Sequence, residues 1–327
     1  MKPFLSAVIT IMLLCLFEVQ PSYGQVFMLN NFSETFSEPA ATAFSLRKLR
    51  NSYTGSAIKL RRSNDNTTQD IGFDLHGFLD TLALKSFVGN NNGYVEIWYD
   101  QSGNFRNASM ATPSDQPRIV NQGVIERLNQ HPAINFIGTN RLSTSTGVFF
   151  ANGVTMVAFA KGYGVNSGCL LSKTGPANNT PAPFTYTSNS EFKVGNNAAS
   201  QTITLVPNSA SQARADINRN VLDASVYAFK VPNSGVSKCY IDTTLIGFSA
   251  SSSNVDIGAP MTIGNSNGIG FESNFRTTEI ITIPSVVSDN SFGVMVGYMQ
   301  DFYKSTREQR FTTNGNFIAP IGVSNCY

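Results

Sequence analysis

Short runs of alternating apolar and polar residues recur along most of the chain, separated by Gly, Asn, Ser and Pro. A two-residue period of this kind is typical of β-strands that bury one face. The first two runs, 43–49 and 57–62, flank the turn sequence 51–55. Similar runs follow at 94–99, 133–136, 154–160, 202–206, 226–231, 239–245, 261–263 and 279–283. The pattern therefore predicts an all-β fold.

The most distinctive stretch is 94–104, which joins an alternating strand to the turn sequence Asp-Gln-Ser-Gly-Asn and holds the only tryptophan. Strict alternation predicts two faces, one with Tyr94, Glu96 and Trp98 and the other with Val95, Ile97 and Tyr99. Trp98 is either a core residue or a platform for a sugar ring. Asp100 either bonds the amides of its own turn or contacts a ligand.

Two segments have helical rather than strand spacing. Asp80 is placed to cap a short helix, up to Val88, whose Leu82, Ala83 and Phe87 would share a face. A longer helix is predicted to begin at Ser288 and Asp289. Its apolar residues recur every three or four positions, at Phe292, Met295, Val296, Met299, Phe302 and Tyr303. This stripe predicts a helix packed on a sheet.

The first 24 residues have the features of a secretory signal peptide. Lys2 precedes an apolar run at 4–17, and the small residues Ser22 and Gly24 have the spacing that suits cleavage before Gln25. No later run is long and apolar enough to predict a membrane span, so a secreted, extracellular protein is expected. Removal of this segment, which contains Lys2 and Glu18, leaves the formal charge at +2. Such a charge gives no electrostatic footprint for nucleic acid.

Three cysteines remain after the signal segment: Cys169, Cys239 and Cys326. All three are disulfide candidates, but an odd number means that at least one is free or pairs with another chain. The two histidines, His76 and His131, are far apart in sequence, so neither a metal nor another cofactor is expected.

Four Asn-X-Ser/Thr sequences are candidate glycosylation sites, as in a secreted glycoprotein. They begin at Asn31, Asn66, Asn107 and Asn178. The neighbouring stretch 65–70 alternates oxygen-bearing side chains, but it lacks the glycine and the distal glutamate of an EF-hand and is interpreted as a polar loop.

Five sequence segments together resemble the catalytic module of fungal arabinofuranosidase B and related bacterial secreted domains. They are 43–49, 53–57, 60–68, 98–104 and 263–268. The resemblance implies a concanavalin A-like antiparallel β-sandwich, or jelly roll, with one or two short helices and a carbohydrate site on a concave face. We expect a signal peptide at 1–24, the domain at 25–313 and an irregular tail at 314–327.

The resemblance also indicates where catalytic carboxylates would stand. The family's nucleophilic glutamate follows a cysteine pair, which places it near Pro176, and its acid/base aspartate corresponds to Gly264. No Asp or Glu occurs between Glu126 and Glu191. Retaining hydrolysis needs two carboxyl groups about 5 Å apart. Replacements would have to come from a small set: Glu191, Asp256, Glu272 and Glu279.

Three functions are compatible with the sequence. The first is a pseudoenzyme that binds a glycan or polysaccharide, with Trp98, Asp100, Asn265, Ser266 and Asn267 as candidate contacts. The second is an extracellular matrix protein that uses the sandwich as a scaffold and contacts itself or other matrix proteins through the odd cysteine. The third is an active alpha-L-arabinofuranosidase with relocated carboxylates.

Overall fold

The computed structural model describes residues 39–148, 150, 152–163, 168–173, 193–197, 200–208, 211–217, 224–248, 252–253, 260–264, 273–304, 310–311 and 317–318. Several predictions fall outside these residues: the signal segment 1–24, most of the tail 314–327, the position Pro176, and the side chain of Cys169. The same holds for Asn31, Asn178, Glu191, Asp256, Asn265, Ser266, Asn267, Glu272 and Cys326. These remain predictions.

Twenty-six strands and two α-helices form the described structure. The strands up to the middle of the chain are β1 Thr42–Ser45, β2 Ile58–Arg62, β3 Thr68–Ile71, β4 Gly93–Trp98, β5 Ala108–Ser109, β6 Arg118–Asn121, β7 Val124–Ile125, β8 Arg127–Leu128, β9 His131–Pro132, β10 Ile134–Gly138, β11 Arg141–Gly147, β12 Val154–Gly162 and β13 Gly168–Cys169. Helix α1 is Thr81–Val88, and a 3₁₀ turn covers Pro113–Asp115.

The remaining strands are β14 Leu171–Lys173, β15 Lys193–Asn197, β16 Ser200–Asn208, β17 Ser211–Ile217, β18 Ser225–Val231, β19 Ser234–Gly235, β20 Lys238–Ile241, β21 Thr244–Phe248, β22 Ser252–Ser253, β23 Pro260–Gly264, β24 Ser273–Ile283, β25 Arg310–Phe311 and β26 Phe317–Ile318. Helix α2 is Asp289–Tyr303. The run 239–245 was expected to be one strand. It is instead a hairpin, because Asp242 has φ of +56° and turns the chain between β20 and β21.

One sheet follows the order β14-β23-β11-β5-β4-β6-β10-β24-β12-β18-β20-β21, with β1 paired to β24, β2 to β3 and β4, and β7 to β6. Smaller sheets contain β13 and β15–β17, and the pairs β8/β9, β19/β22 and β25/β26. The ladders between these described strands are antiparallel. The predicted all-β sandwich is confirmed.

Two hydrophobic clusters form the core of the described structure. The larger cluster lies inside it and includes Trp98 of β4, Leu142 of β11 and Phe275 of β24. The second lies between α2 and the strands beneath it. Alternate residues of β12 enter the two clusters, so this strand is buried on both faces: Met156 and Ala158 in one, and Val157 and Phe159 in the other.

We call β1, β24, β12, β18 and β20 the helix-covered layer, because their outward residues pack under α2. We call β3, β2, β4, β5, β11, β23 and β14 the front layer, which shares only the inner cluster. Strands β6 and β10 connect the two along the sheet. No helix among the described residues is long and apolar enough to cross a membrane.

Both helices begin where the sequence predicts. The carboxylate of Asp80 accepts hydrogen bonds from the amides of Leu82 and Ala83, and the hydroxyl of Ser288 accepts one from the amide of Ser291. The apolar stripe of α2 is buried, as expected. In α1 the predicted Ala83 and Phe87 pack partly buried against the inner cluster and Leu84 and Val88 are fully buried, whereas Leu82 points into solvent.

The predicted faces of β4 are wrong beyond Val95. The pairing with β2 shifts so that Leu60 faces Val95, whereas Lys59 faces Ile97 and Ile58 faces Trp98. Glu96 is thus the extra residue of a β-bulge. The bulge turns both Val95 and Trp98 toward the core, which strict alternation cannot do.

Candidate functional site

Trp98 is a core residue. Its side chain is fully buried, and its ring centroid lies 5.7 Å from that of Phe44. The indole Nε1 has no hydrogen-bond partner among the described residues. A sugar cannot reach either ring face, so the stacking role considered for Trp98 does not fit this structure.

Asp100 ties the N-terminal strand to the turn. Its Oδ1 accepts hydrogen bonds from the amides of Ala43, at 2.8 Å, and Ser102, at 2.9 Å. Its Oδ2 accepts from the Ser102 hydroxyl at 2.7 Å and from the Arg106 amide at 3.0 Å. Because these bonds occupy a carboxylate that is 3% exposed, Asp100 positions the backbone rather than a ligand.

The next residues of the turn continue this contact with the segment after β1. The Gln101 side chain donates to the carbonyls of Ser45 and Arg47, both at 3.0 Å, and accepts from the amide of Leu49 at 2.8 Å. Asn104 donates to the carbonyl of Ala40 at 2.9 Å. The most distinctive stretch of the sequence is therefore a structural clamp.

Gly264, the position to which the family resemblance assigns the acid/base residue, has no room for a side chain. It ends β23 with φ of +93°, a region that favours glycine. An added Cβ would lie 2.4 Å from the carbonyl oxygen of Asn140 and 2.8 Å from Cδ1 of Phe136. The opposing Arg141 is held by Asp115 at 2.9 Å. A carboxylate at this position would require the backbone to move.

Glu279 is the one candidate replacement carboxylate within the described residues, and it faces α2 instead of the front layer. Its Oε2 accepts from Nε of Arg47 at 2.7 Å, from the hydroxyl of Ser45 at 2.8 Å and from that of Tyr303 at 2.8 Å. Its side chain is completely buried. Burial raises the pKa of Tyr303, and Glu279 raises it further. This network anchors α2 to β24.

A row of polar positions crosses the outer face of the front layer. Strand register brings Ser109 of β5 opposite Ser143 of β11, and Ser143 opposite Thr262 of β23. Thr262 is in turn opposite position 172 of β14. The Ser143 and Thr262 hydroxyl oxygens are 2.9 Å apart. We call Ser109, Ser143 and Thr262 the hydroxyl row.

Charged and aromatic residues continue this face across β4, β2 and β3. Lys59 lies 3.7 Å from Glu96, and the Tyr99 hydroxyl donates to Asp70 at 2.7 Å. Burial raises the pKa of Tyr99, and the hydrogen bond to Asp70 raises it further. The guanidinium of Arg61 lies 4.8 Å from the ring centroid of Tyr94. Both carboxylates on this part of the face, Glu96 and Asp70, thus already have partners.

Sequence reasoning missed this face because its members are unremarkable in sequence. Ser109, Ser143 and Thr262 are small hydroxyl residues within short strands, and they meet only through pairings between distant segments. Their positions beside buried Ala108, Leu142 and Ile263 give a weak signal, since the outward residue of a strand alternates with an inward one.

The other sequence candidates have separate roles. Asn66 is exposed with φ of +59°, and its Oδ1 accepts from Arg61 at 2.8 Å. The Asn107 side chain accepts from the amide of Asp100 at 2.9 Å. Cys239 is a buried free thiol, and burial raises its pKa well above the usual range. It cannot reach another chain from this position.

Asp65, in the polar loop, accepts from Arg62 at 2.6 Å and from the Thr67 hydroxyl at 2.9 Å. These interactions, first the bond to Arg62, lower the pKa of the Asp65 carboxyl. Within the described parts of the chain no three His, Cys, Asp or Glu residues form a group that could hold a metal ion.

Residues 33–167 match the family model described as alpha-L-arabinofuranosidase B, catalytic. The alpha-L-arabinofuranosidase B of Aspergillus kawachii (strain NBRC 4308) and the probable alpha-L-arabinofuranosidase B of Aspergillus awamori are each 34% identical over 82 residues. Each alignment covers 24% of this chain and 16% of the relative.

Solved structures extend the likeness at the level of the fold. A GH54 arabinofuranosidase soaked with a cyclic sulfate inhibitor has a TM-score of 0.60 and 16% identity. An arabinofuranosidase complexed with arabinofuranosyl-alpha-1,2-xylobiose has a TM-score of 0.60 and 17% identity. Each alignment covers 82% of this chain and 63% of the other. The chain is thus similar to the arabinofuranosidase B catalytic module over residues 33–167, and it shares the β-sandwich fold of these structures.

Proposed function

We propose that this protein is a secreted, non-catalytic module that binds neutral glycans on the outer face of its front layer. The main support for a loss of catalysis is the lack of space around Gly264. A Cβ added at Gly264 would lie 2.4 Å from the backbone carbonyl oxygen of Asn140. There is therefore no space for an acid/base carboxylate at the position that the family resemblance assigns.

The lack of carboxylates in the sequence around the family's nucleophile position supports the same conclusion. The chain has no Asp or Glu between Glu126 and Glu191, so no small shift of the alignment supplies one near Pro176. Glu279 forms a buried ion pair with Arg47 on the opposite side of the sheet. Loss of a positioned acid or base alone costs about two to four orders of magnitude in rate.

The hydroxyl row supports binding. Ser109 and Ser143 are partly exposed, so their hydroxyls can donate to or accept from sugar hydroxyls. Thr262 is only 5% exposed, and its hydroxyl oxygen lies 2.9 Å from that of Ser143. Tyr94 of β4 and Tyr99, which follows this strand, are both partly exposed, and they contact Arg61 and Asp70 on this face. Aromatic side chains that combine an apolar ring with a polar tip are suited to such contacts.

The binding test uses neutral arabinan and arabinoxylan, with affinity measured by calorimetry on the full chain. The double variant Ser109→Ala and Ser143→Ala is expected to weaken binding by about tenfold, as for the loss of one or two hydrogen bonds. Ser234→Ala is the matched control, because Ser234 is an exposed strand serine away from this face. Absence of binding to any neutral glycan, or equal losses in the two variants, would refute the proposed site.

The catalytic test uses 4-nitrophenyl alpha-L-arabinofuranoside, which releases a coloured product on hydrolysis. We expect release no faster than the buffer rate. Enzyme-dependent release that survives repeated purification would show that relocated carboxylates act, and the non-catalytic assignment would then be abandoned.

A further inference from the structure

A second polar row crosses the sheet around the side of the sandwich, on β6, β10, β24 and β12. Register places Arg118 opposite Asn135, Asn135 opposite Arg276, and Arg276 opposite Lys161. Their strand neighbours Phe136, Phe275 and Ala160 belong to the inner cluster, so the row faces outward. We call Arg118, Arg276 and Lys161 the basic row.

One carboxylate holds the two arginines of this row in place. Glu126 accepts from Arg118 through Oε1 at 2.7 Å and from Arg276 through Oε2 at 2.6 Å. Its side chain is 8% exposed, whereas each arginine side chain is 27% exposed. Asn135 donates to the same Oε1 at 3.3 Å. Glu126 therefore fixes both guanidinium groups, and both arginine side chains remain partly exposed.

These contacts leave a donor group of Arg118 unused. Arg118 bonds Glu126 through Nε and Nη2, so Nη1 is left for another acceptor. Arg276 uses Nη2 for Glu126 and Nη1 for the carbonyl of Arg127, and its Nε is buried, so this residue contributes charge rather than a free donor. The unused Nη1 of Arg118, beside a second guanidinium, is suited to a carboxylate oxygen.

Further positive charge surrounds the two arginines. The Lys161 ammonium lies 5.5 Å from the ring centroid of Tyr163, and the Arg276 guanidinium lies 5.0 Å from it. Arg127 is exposed next to the row. Of these four cations, Arg118 and Arg276 pair with Glu126, and Lys161 and Arg276 lie over the ring of Tyr163.

We propose that the basic row is a second binding site, specific for the carboxylate groups of a uronate-bearing polysaccharide. Adjacent strands are about 4.8 Å apart, so the row offers cations in a line rather than a single pocket. This arrangement suits an extended chain with repeated carboxylates. The small net charge of +2 disfavours nucleic acid, which is typically bound through a broad basic surface.

The test measures binding of polygalacturonate to the full chain, with a neutral arabinan as the uncharged comparison. Lys161→Ala is expected to weaken polygalacturonate binding by about tenfold, because it removes one charge-assisted contact. Added salt should weaken it further. Lys85→Ala is the matched control, since Lys85 is an exposed lysine on α1. Binding of the neutral glycan should be unchanged in both variants.

Three outcomes would overturn this second site: no binding of polygalacturonate at low salt, equal losses in Lys161→Ala and Lys85→Ala, or equal affinity for a DNA duplex. Dextran sulfate that binds as well as polygalacturonate would overturn the carboxylate specificity. Arg276→Gln, checked for folding by thermal unfolding, gives an independent variant in the same row. Failure of this site leaves the neutral-glycan site on the front layer untouched, because different residues form it.

Discussion

At the residue scale, the segment 98–104 carries the sequence similarity to the family but has a structural role. Its side chains form hydrogen bonds with the backbone at and just before β1: Asp100 with Ala43, Gln101 with Ser45, and Asn104 with Ala40. Its turn chemistry could be predicted from the sequence. Its partners could not, because they lie more than 50 residues away.

Gly264 gives the sharpest test at this scale. We expect Gly264→Asp to lower the free energy of unfolding by about 3 kcal/mol, because the side chain would overlap the Asn140 carbonyl and a non-glycine residue would adopt a left-handed backbone. It should not create arabinofuranosidase activity. Urea unfolding and an aryl arabinofuranoside assay measure the two effects.

Gly72→Asp is the matched control for this substitution. Nothing lies within 4 Å of a Cβ added at Gly72, so the change should cost no more than about 0.5 kcal/mol. Equal stability of the two variants would mean that β23 can accommodate a side chain at Gly264, and it would contradict the lack of space described for this position.

At the element scale, α2 is held by a buried network that the apolar stripe did not reveal. The stripe predicts the helix and the face it buries, whereas the sequence indicated Glu279 as a candidate replacement for a catalytic carboxylate. Instead it lies in the middle of β24 and pairs with Arg47. A charged residue in a strand can be buried when a partner from another element compensates it, and sequence alone does not show that partner.

His131 makes the attachment of α2 sensitive to pH. Its ring centroid lies 4.8 Å from that of Phe302 and 5.2 Å from that of Tyr303, both in α2. Desolvation lowers the pKa of His131, and the charge of Arg47 lowers it further, with a smaller effect of Arg127 in the same direction. The backbone of Phe302 and the charge of Glu279 oppose this shift.

Because the folded pKa of His131 lies below the usual value of about 6.5, the unfolded state takes up this proton first as pH falls. The stabilising effect is complete above that value and is lost as pH falls toward the folded pKa. We expect the free energy of unfolding to decrease from pH 7.5 to 5.5, and His131→Gln to reduce this slope. His76→Gln is the control, since His76 is exposed. An unchanged slope in His131→Gln would contradict the assignment.

At the scale of the whole molecule, the sequence predicted the class of fold and many strands, including those within β12, β16, β18 and β24. It did not predict how they pair. The bulge at Glu96 and the hairpin at Asp242 both break a simple alternation. Both proposed binding rows depend on register between strands far apart in the chain, which a local pattern does not contain.

Cys239 reports on the integrity of the whole sandwich. Its thiol is fully buried in the inner cluster, and burial raises its pKa, so it should react with thiol reagents only when the sheet opens. In a Cys169→Ser and Cys326→Ser background we expect slow labelling in the native state and rapid labelling in urea. Native labelling at the rate of a free thiol would contradict the burial described here.

Because β1 pairs with β24, it can complete its pairing only after β24 has been synthesised. Thr42 and Thr282, whose hydroxyl oxygens are 2.7 Å apart, are separated by 240 positions. At a synthesis rate of about 5–20 residues per second, the N-terminal strand waits roughly ten to fifty seconds for its partner to leave the ribosome. Until then the groups of β1 that pair with β24 lack their partners, and only the contacts with the turn at 100–104 can hold the strand.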